Sequence, residues 1–299
     1  MTFFLNKLRA GKFLPLLTLG LFASPVATAD VGSRIWATGG VTTIEGSAGG
    51  GLVPWAMLGS YADDEEWGGT LALGRAEVDD YTLSVAGAGL NWNNRVEVTV
   101  ARQTLDLDSL VFALKDGFAL EQDELNQDIF GLKVRLAGDV LYSPWGQWSA
   151  GVQHKRQRDF TVPNAIGARD DSGTDVYVSG SKLFFAAVFG RNLLVNATVR
   201  GTRANQGGLL GFGGDRNNGY EAMAEGSVGV FINRQWLLGA EYRQKPDNLS
   251  FAREDDWWDV FIAWVPDRRL AVTAAFVNLG DVATLKDQQG VYLSLQGSF

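Results

Sequence analysis

Few side chains in this sequence have the type and spacing that covalent chemistry needs. There is one histidine, His154, and there are no cysteines. A nucleophile–base pair generally needs an imidazole beside its Ser or Cys. His154 shares strand parity with Trp148, Ala150 and Val152, which turns it toward an apolar outer face instead. Any metal site would have to be all oxygen. The acidic runs Asp63-Asp64-Glu65-Glu66 and Asp170-Asp171 match no twelve-residue calcium loop and read as solvated turns. The run Gly207 to Gly214 lacks the Lys-Ser/Thr of a phosphate loop and reads as a loop tip. The residue inventory therefore points to no catalytic residues, no metal and no cofactor.

The informative charges lie on alternating segments. An early group offers Arg95, Glu97, Lys133, Arg135 and Lys155; Arg200 follows; a late group offers Glu221, Glu225, Glu241, Arg243 and Asp259. Each alternates with apolar neighbours and so shares a face opposite to theirs. On a closed cylinder these residues line the lumen. A basic wall facing an acidic wall would set a transverse field across a wet channel. Alternatively the charges pair and fill the interior.

The segments that carry them read as antiparallel strands. Val96, Val98 and Val100 alternate with Glu97 and Thr99; Phe130, Leu132 and Val134 alternate with Lys133 and Arg135. The same period recurs through Trp148–Lys155, a noisier Val176–Phe184, Leu193–Arg200, Tyr220–Val230, Trp236–Arg243, Trp258–Trp264, Leu270–Phe276 and Gly290–Phe299. From Asn93 onward, short turns alternate strictly with long connections at 105–126, 158–174, 203–218, 246–254 and 280–289. Outer-membrane barrels alternate periplasmic turns and extracellular loops in this way. Trp92, Trp145, Trp148, Trp236 and Trp264 fall at the short-turn ends. Tyr81, Tyr177, Tyr220, Tyr242, Trp257 and Trp258 fall toward the long-loop ends, as two interfacial belts would. The fold class is thus all-β, a transmembrane antiparallel up-and-down β-barrel. Twelve strands run from Gly68 to Phe299. A hairpin of Leu52–Tyr61 with Gly68–Arg75, plus a strand in the glycine-rich segment before it, makes fourteen, and fourteen is favoured over twelve. Leu107, Leu110, Val111 and Leu114 have helical spacing and predict a short helix in the 105–126 loop, folded into the mouth or resting on the rim.

The ends of the chain agree. Lys7, Arg9 and Lys12 precede an apolar run, and Ala27-Thr28-Ala29 is a small-residue cleavage site, so residues 1–29 read as a signal peptide. Residues 30–51 are a Gly-rich segment, a short strand or a lumen plug, and 52–299 form the barrel. The net charge of −8 becomes more negative once the leader is removed, which makes nucleic acid an unlikely partner class. No later apolar stretch is long enough for a spanning helix. At the C-terminus Val291, Leu293, Leu295 and Phe299 share one parity and form a barrel-assembly signal, although Gly297 stands where many such signals carry an aromatic.

At Gly39 to Ala56, and again at Arg95 to Gln103, the chain resembles a family of exported Gram-negative proteins known only as a domain of unknown function. The resemblance implies an outer-membrane location and brings no activity and no catalytic residues with it. The expected function is a passive pore or channel for small solutes of unknown identity. The alternative is a closed barrel acting as a structural or surface-interaction protein through its long loops. Expected partners are outer-membrane lipid, the barrel-assembly machinery and a small-molecule solute.

Overall fold

The computed structural model describes residue 34 and residues 38–107, 123–251 and 253–299. Twelve antiparallel strands close a barrel: β3 (Trp67–Val78), β4 (Thr82–Trp92), β5 (Val96–Asp106), β6 (Glu124–Gly138), β7 (Gln147–Gln157), β8 (Ser172–Val188), β9 (Arg191–Thr202), β10 (Glu221–Phe231), β11 (Trp236–Arg243), β12 (Trp257–Asp267), β13 (Leu270–Val282) and β14 (Leu285–Ser298). Sequential strands pair up and down. The seam joins β14 to β3, from Gly290↔Val78 to Ser298↔Thr70. Two further strands, β1 (Val41–Thr42) and β2 (Ala48–Gly49), pair only with each other. A single helical turn, α1 (Thr161–Ala165), lies in the loop after β7.

Period-2 alternation explains the wall. On β14, Val291, Leu293 and Leu295 are each more than half exposed, while Tyr292, Ser294 and Gln296 point inward and are buried. Leu71, Leu73, Val98, Val100, Phe130, Leu132, Val176 and Val199 likewise cover the outer surface. A continuous outward apolar band on strands of 8 to 17 residues is the arrangement that lipid solvates, and it fits an outer-membrane setting. At the short-turn end Trp67 stacks on Trp92 and Trp236 on Trp264, each at 5.9 Å between ring centroids, and Trp145 and Trp148, at the turn between β6 and β7, are exposed. At the opposite end Tyr220, Tyr242 and Trp258 are exposed.

Several expectations need correction. Among the described residues the barrel has twelve strands, the lower of the two expected counts, and not the favoured fourteen. Leu52–Tyr61 does not pair with β3; it runs back through the lumen, and the segment held inside the barrel extends from Thr38 to Ala62. Tyr81, Tyr177 and Trp257 do not join the outer belt. They are buried because each stands on inward parity, Trp257 with Asp259 and Tyr177 with Asp175 and Ser179. The connection expected at 280–289 is mostly strand: β13 and β14 continue to a tight turn at Ala283-Thr284, with register shifts at Gly280 and Val282 absorbed by positive φ at Gly280, Ala283 and Asp287. The Gly207–Gly214 run is not a tip. Its first two residues belong to a 3₁₀ turn (Asn205–Gly208) that folds inward over the lumen. The helix expected around Leu110, Val111 and Leu114, and the leader at 1–29, lie outside the described residues.

Candidate functional site

The lumen is the site, and residues 38–62 fill it. Their glycines permit the path. Gly46 turns the chain at φ +91°, and a Cβ on Gly50 would stand 2.3 Å from the Glu241 carboxylate. The segment satisfies part of its own backbone: Thr43 N–H bonds to Ser47 O, Ile44 N–H to Gly51 O, and Trp55 N–H to Ala48 O. Other backbone groups of the segment find their partners on the wall. Gln103 donates to Ile44 O (2.8 Å), Gln147 to Ala56 O (2.7 Å), Thr198 to Pro54 O (2.9 Å) and Ser179 to Pro54 O (3.1 Å). Thr42 donates to Gln296 (2.7 Å), which ties the segment to the closing strand. Val53, Ala56 and Leu58 have no exposed surface at all.

The lumen charges are organised around the segment. Glu97, from β5, accepts the N–H of Ala48 at 3.1 Å and of Gly59 at 2.5 Å and pairs with Lys133 at 3.2 Å. Lys133 in turn donates to Ala48 O and Met57 O. Glu241 accepts from Leu52 N–H (2.7 Å), Ser227 (2.6 Å) and the Trp55 indole (3.3 Å). Higher in the lumen Glu45 meets Lys155 at 2.5 Å, Arg243 at 2.7 Å and Arg200 at 3.1 Å. Asp175 joins Lys155 (2.7 Å) and Arg200 (3.3 Å), and Glu225 joins Arg200 (2.5 Å) and Arg243 (3.4 Å). Three cations thus face three carboxylates, and one of those carboxylates belongs to the plug. Without Glu45 the wall holds an unbalanced buried positive charge, which is costly.

The 3₁₀ turn closes the same cluster from the long-loop end. Gly207 O accepts from Lys155 Nζ (3.1 Å) and from Gln127 Nε2 (3.3 Å), and Leu209 O accepts from Gln157 (3.2 Å). Lys245 reaches Gln206 at 2.9 Å and Glu254 at 3.1 Å, tying the turn to the loop before β12. Burial lowers the Lys245 ammonium and raises the Glu254 carboxyl from their ordinary values, against the mutual attraction of the pair.

Of the residues expected in the lumen, Glu97, Lys133, Lys155, Arg200, Glu225, Glu241, Arg243 and Asp259 are buried inside the barrel. Arg95 is not: it is exposed in the turn before β5, where its backbone closes the Asn93-Asn94 turn onto Trp92 O. Arg135 sits at the short-turn rim and caps Gly138 O at 2.6 Å. Glu221 sits at the other rim beside Asn217. Among the described residues the charges do not form opposed basic and acidic walls held apart by a wet lumen: most of the buried cations bond directly to carboxylates of a neighbouring strand or of the plug. Sequence reasoning missed Glu45 and Asp175. Glu45 has no alternating context; Asp175 precedes the recognisable part of its strand, although Asp175, Tyr177 and Ser179 do share one parity. His154 is exposed on the outer face, with Nδ1 3.0 Å from Thr174 Oγ1.

Residues 81 to 85 reveal a second property. Tyr81, Leu83 and Val85 point inward, whereas Thr82 and Ser84 are only partly covered on the outside. Together with Ala76, Leu105, Val277 and Tyr292 they make the long-loop end of one arc of the lumen apolar.

No curated protein matches this chain. Among solved structures it is similar to the outer membrane protein Omp33 of Acinetobacter baumannii, with 12% identity, 79% of this chain and 100% of that chain covered, and a TM-score of 0.45. It is also similar to the KdgM porin (10%, 77% and 99% covered, TM-score 0.47) and the NanC porin (10%, 77% and 98% covered, TM-score 0.44). One sequence family matches from residue 38, where the lumen segment begins, to residue 296, in the closing strand: the chain belongs to the family described as Protein of unknown function (DUF3034).

Proposed function

We propose that this protein is an outer-membrane channel for small solutes whose path is closed by its own residues 38–62 in the state described, and that it performs no covalent chemistry. The observation that carries this reading is how the lumen is filled. The wall presents hydroxyls, amides and paired charges to a segment of the same chain, and only hydrogen bonds, ion pairs and packing hold that segment. Water can replace each polar contact at modest net cost, so the same wall can line a wet path when the segment shifts. Export behind the leader at 1–29 and insertion by the barrel-assembly machinery complete the proposal. A second reading, a permanently closed barrel that works through its loops, is favoured by the charge balance around Glu45. Planar-bilayer conductance separates the two. The channel reading expects discrete steps that are rare in the native protein and long-lived in Glu45→Ala. A membrane that stays sealed with both proteins at high concentration contradicts it and leaves the closed barrel.

A further inference from the structure

Glu45 is the only charged side chain between residues 38 and 62, and the wall meets its carboxylate with three cations. Lys155 Nζ, Arg243 Nη2 and Arg200 Nη1 lie 2.5, 2.7 and 3.1 Å from it. Each cation also has partners on the wall itself. Lys155 bonds to Asp175, and Arg200 to Glu225 and Gln153 with its guanidinium 5.3 Å from the Tyr177 ring centre. Arg243 bonds to Glu225, with its guanidinium 5.5 Å from the Trp257 ring centre. Arms fixed in this way need little reordering to take a different carboxylate. The three cations meet two wall carboxylates, Asp175 and Glu225, so the wall lacks one negative charge at this level and Glu45 supplies it. Among the described residues Glu241 and Asp259 pair with none of the three cations. Gly207 O of the 3₁₀ turn accepts from Lys155 at 3.1 Å, so the cluster lies directly beneath the cap at the long-loop end, where a solute passing the cap arrives.

We propose that Lys155, Arg200 and Arg243 form a binding site for a small solute carrying one carboxylate, and that Glu45 occupies this site as an internal stand-in while the plug is seated. An incoming carboxylate accepts the same charge-assisted hydrogen bonds as Glu45 and competes with it. Solute and seated plug therefore exclude each other at this position, and arrival of the solute favours the displaced plug. A monoanion restores the charge balance. A dianion buries one negative charge too many, and a neutral solute leaves the positive charge uncompensated. The proposal rests on the channel reading for passage of the solute, not for its binding.

The test uses the full-length protein in detergent at neutral pH, with acetate as the probe and acetamide, chloride and sulfate as comparators at constant ionic strength. In the native protein acetate should speed proteolysis within 38–62 to a saturating limit, and acetamide should not. Glu45→Ala, checked for a folded barrel by heat-modifiable migration, should bind acetate in calorimetric titration at one site per chain. Its affinity should exceed that of the native protein about tenfold or more, because the internal competitor is gone. Adding Lys155→Met to Glu45→Ala should weaken acetate about tenfold, the share of one charged hydrogen bond. Acetate that acts no more strongly than acetamide, chloride or sulfate on the native protein overturns the proposal, and so does a folded Glu45→Ala without saturable acetate binding. If Glu45→Ala does not fold, the native proteolysis decides alone. Saturable acetate binding to a protein that never conducts overturns the channel and leaves the site; conductance without saturable acetate binding does the reverse.

Discussion

Glu45 sets the charge balance of the lumen. It is the only plug carboxylate in the cluster, and it completes a set in which Lys155, Arg200 and Arg243 meet Asp175 and Glu225. Removing one partner from a buried ionic network generally costs about 3–5 kcal/mol, because the remaining charge is left uncompensated. Glu45→Ala is therefore expected to destabilise the seated plug by about that amount while the strand ladder remains. Limited proteolysis within 38–62 should become faster while heat-modifiable migration of the barrel is kept. Equal protease resistance in the variant would show that Glu45 does not hold the plug. Lys133→Met probes the second anchor, since it removes the donors to Ala48 O and Met57 O and strands Glu97. It should loosen the plug in the same assay. Most wall charges were legible from parity alone, because an inward charge on an alternating strand has only one place to go. Glu45 was not legible: its neighbours Thr43, Gly46 and Ser47 have no period, and its role depends on three cations more than a hundred residues away.

At the scale of elements, the strands and the plug obey different rules. A strand is specified by its own alternation, so β5 through β14 could be read directly. The plug is specified by the wall, which supplies partners to Ile44, Pro54 and Ala56 at positions that no local pattern records. A β-reading of Leu52–Tyr61 fails because those backbone groups bond to side chains in place of a ladder. The loop at 280–289 misled for a different reason: bulges with positive φ interrupt the alternation without ending the strand. The 3₁₀ turn depends on glycine at its core. Gly208 has φ +106°, and a Cβ there would stand 2.5 Å from Gln127 Oε1. Gly208→Val should therefore lift this turn from the lumen, exposing 203–218 to protease without lowering barrel yield. A variant as resistant as the native chain would contradict the view of this turn as a fitted cap.

At the scale of the molecule, closure and occupancy are separate events. Closure is made at the β14–β3 seam, where Phe299 and Gly69 exchange backbone hydrogen bonds at 2.7 and 3.0 Å. The Phe299 ring covers Gly69, where a Cβ would stand 2.4 Å from it. Deleting Phe299 is expected to lower the fraction of barrel assembled in cells more than it lowers the denaturation midpoint of the protein that does assemble. Normal insertion of the truncated chain would argue against its part in assembly. Occupancy is tested by locking the plug in place. A Cβ on Gly59 would lie 3.5 Å from Thr70 Cγ2, close enough for a disulfide between plug and wall, and the native chain has no cysteine to compete. The most direct measurement is single-channel recording of Gly59→Cys/Thr70→Cys before and after reduction. A silent oxidised protein that opens in discrete steps when reduced is the expected result. Identical conductance in both states would contradict the claim that residues 38–62 close the path.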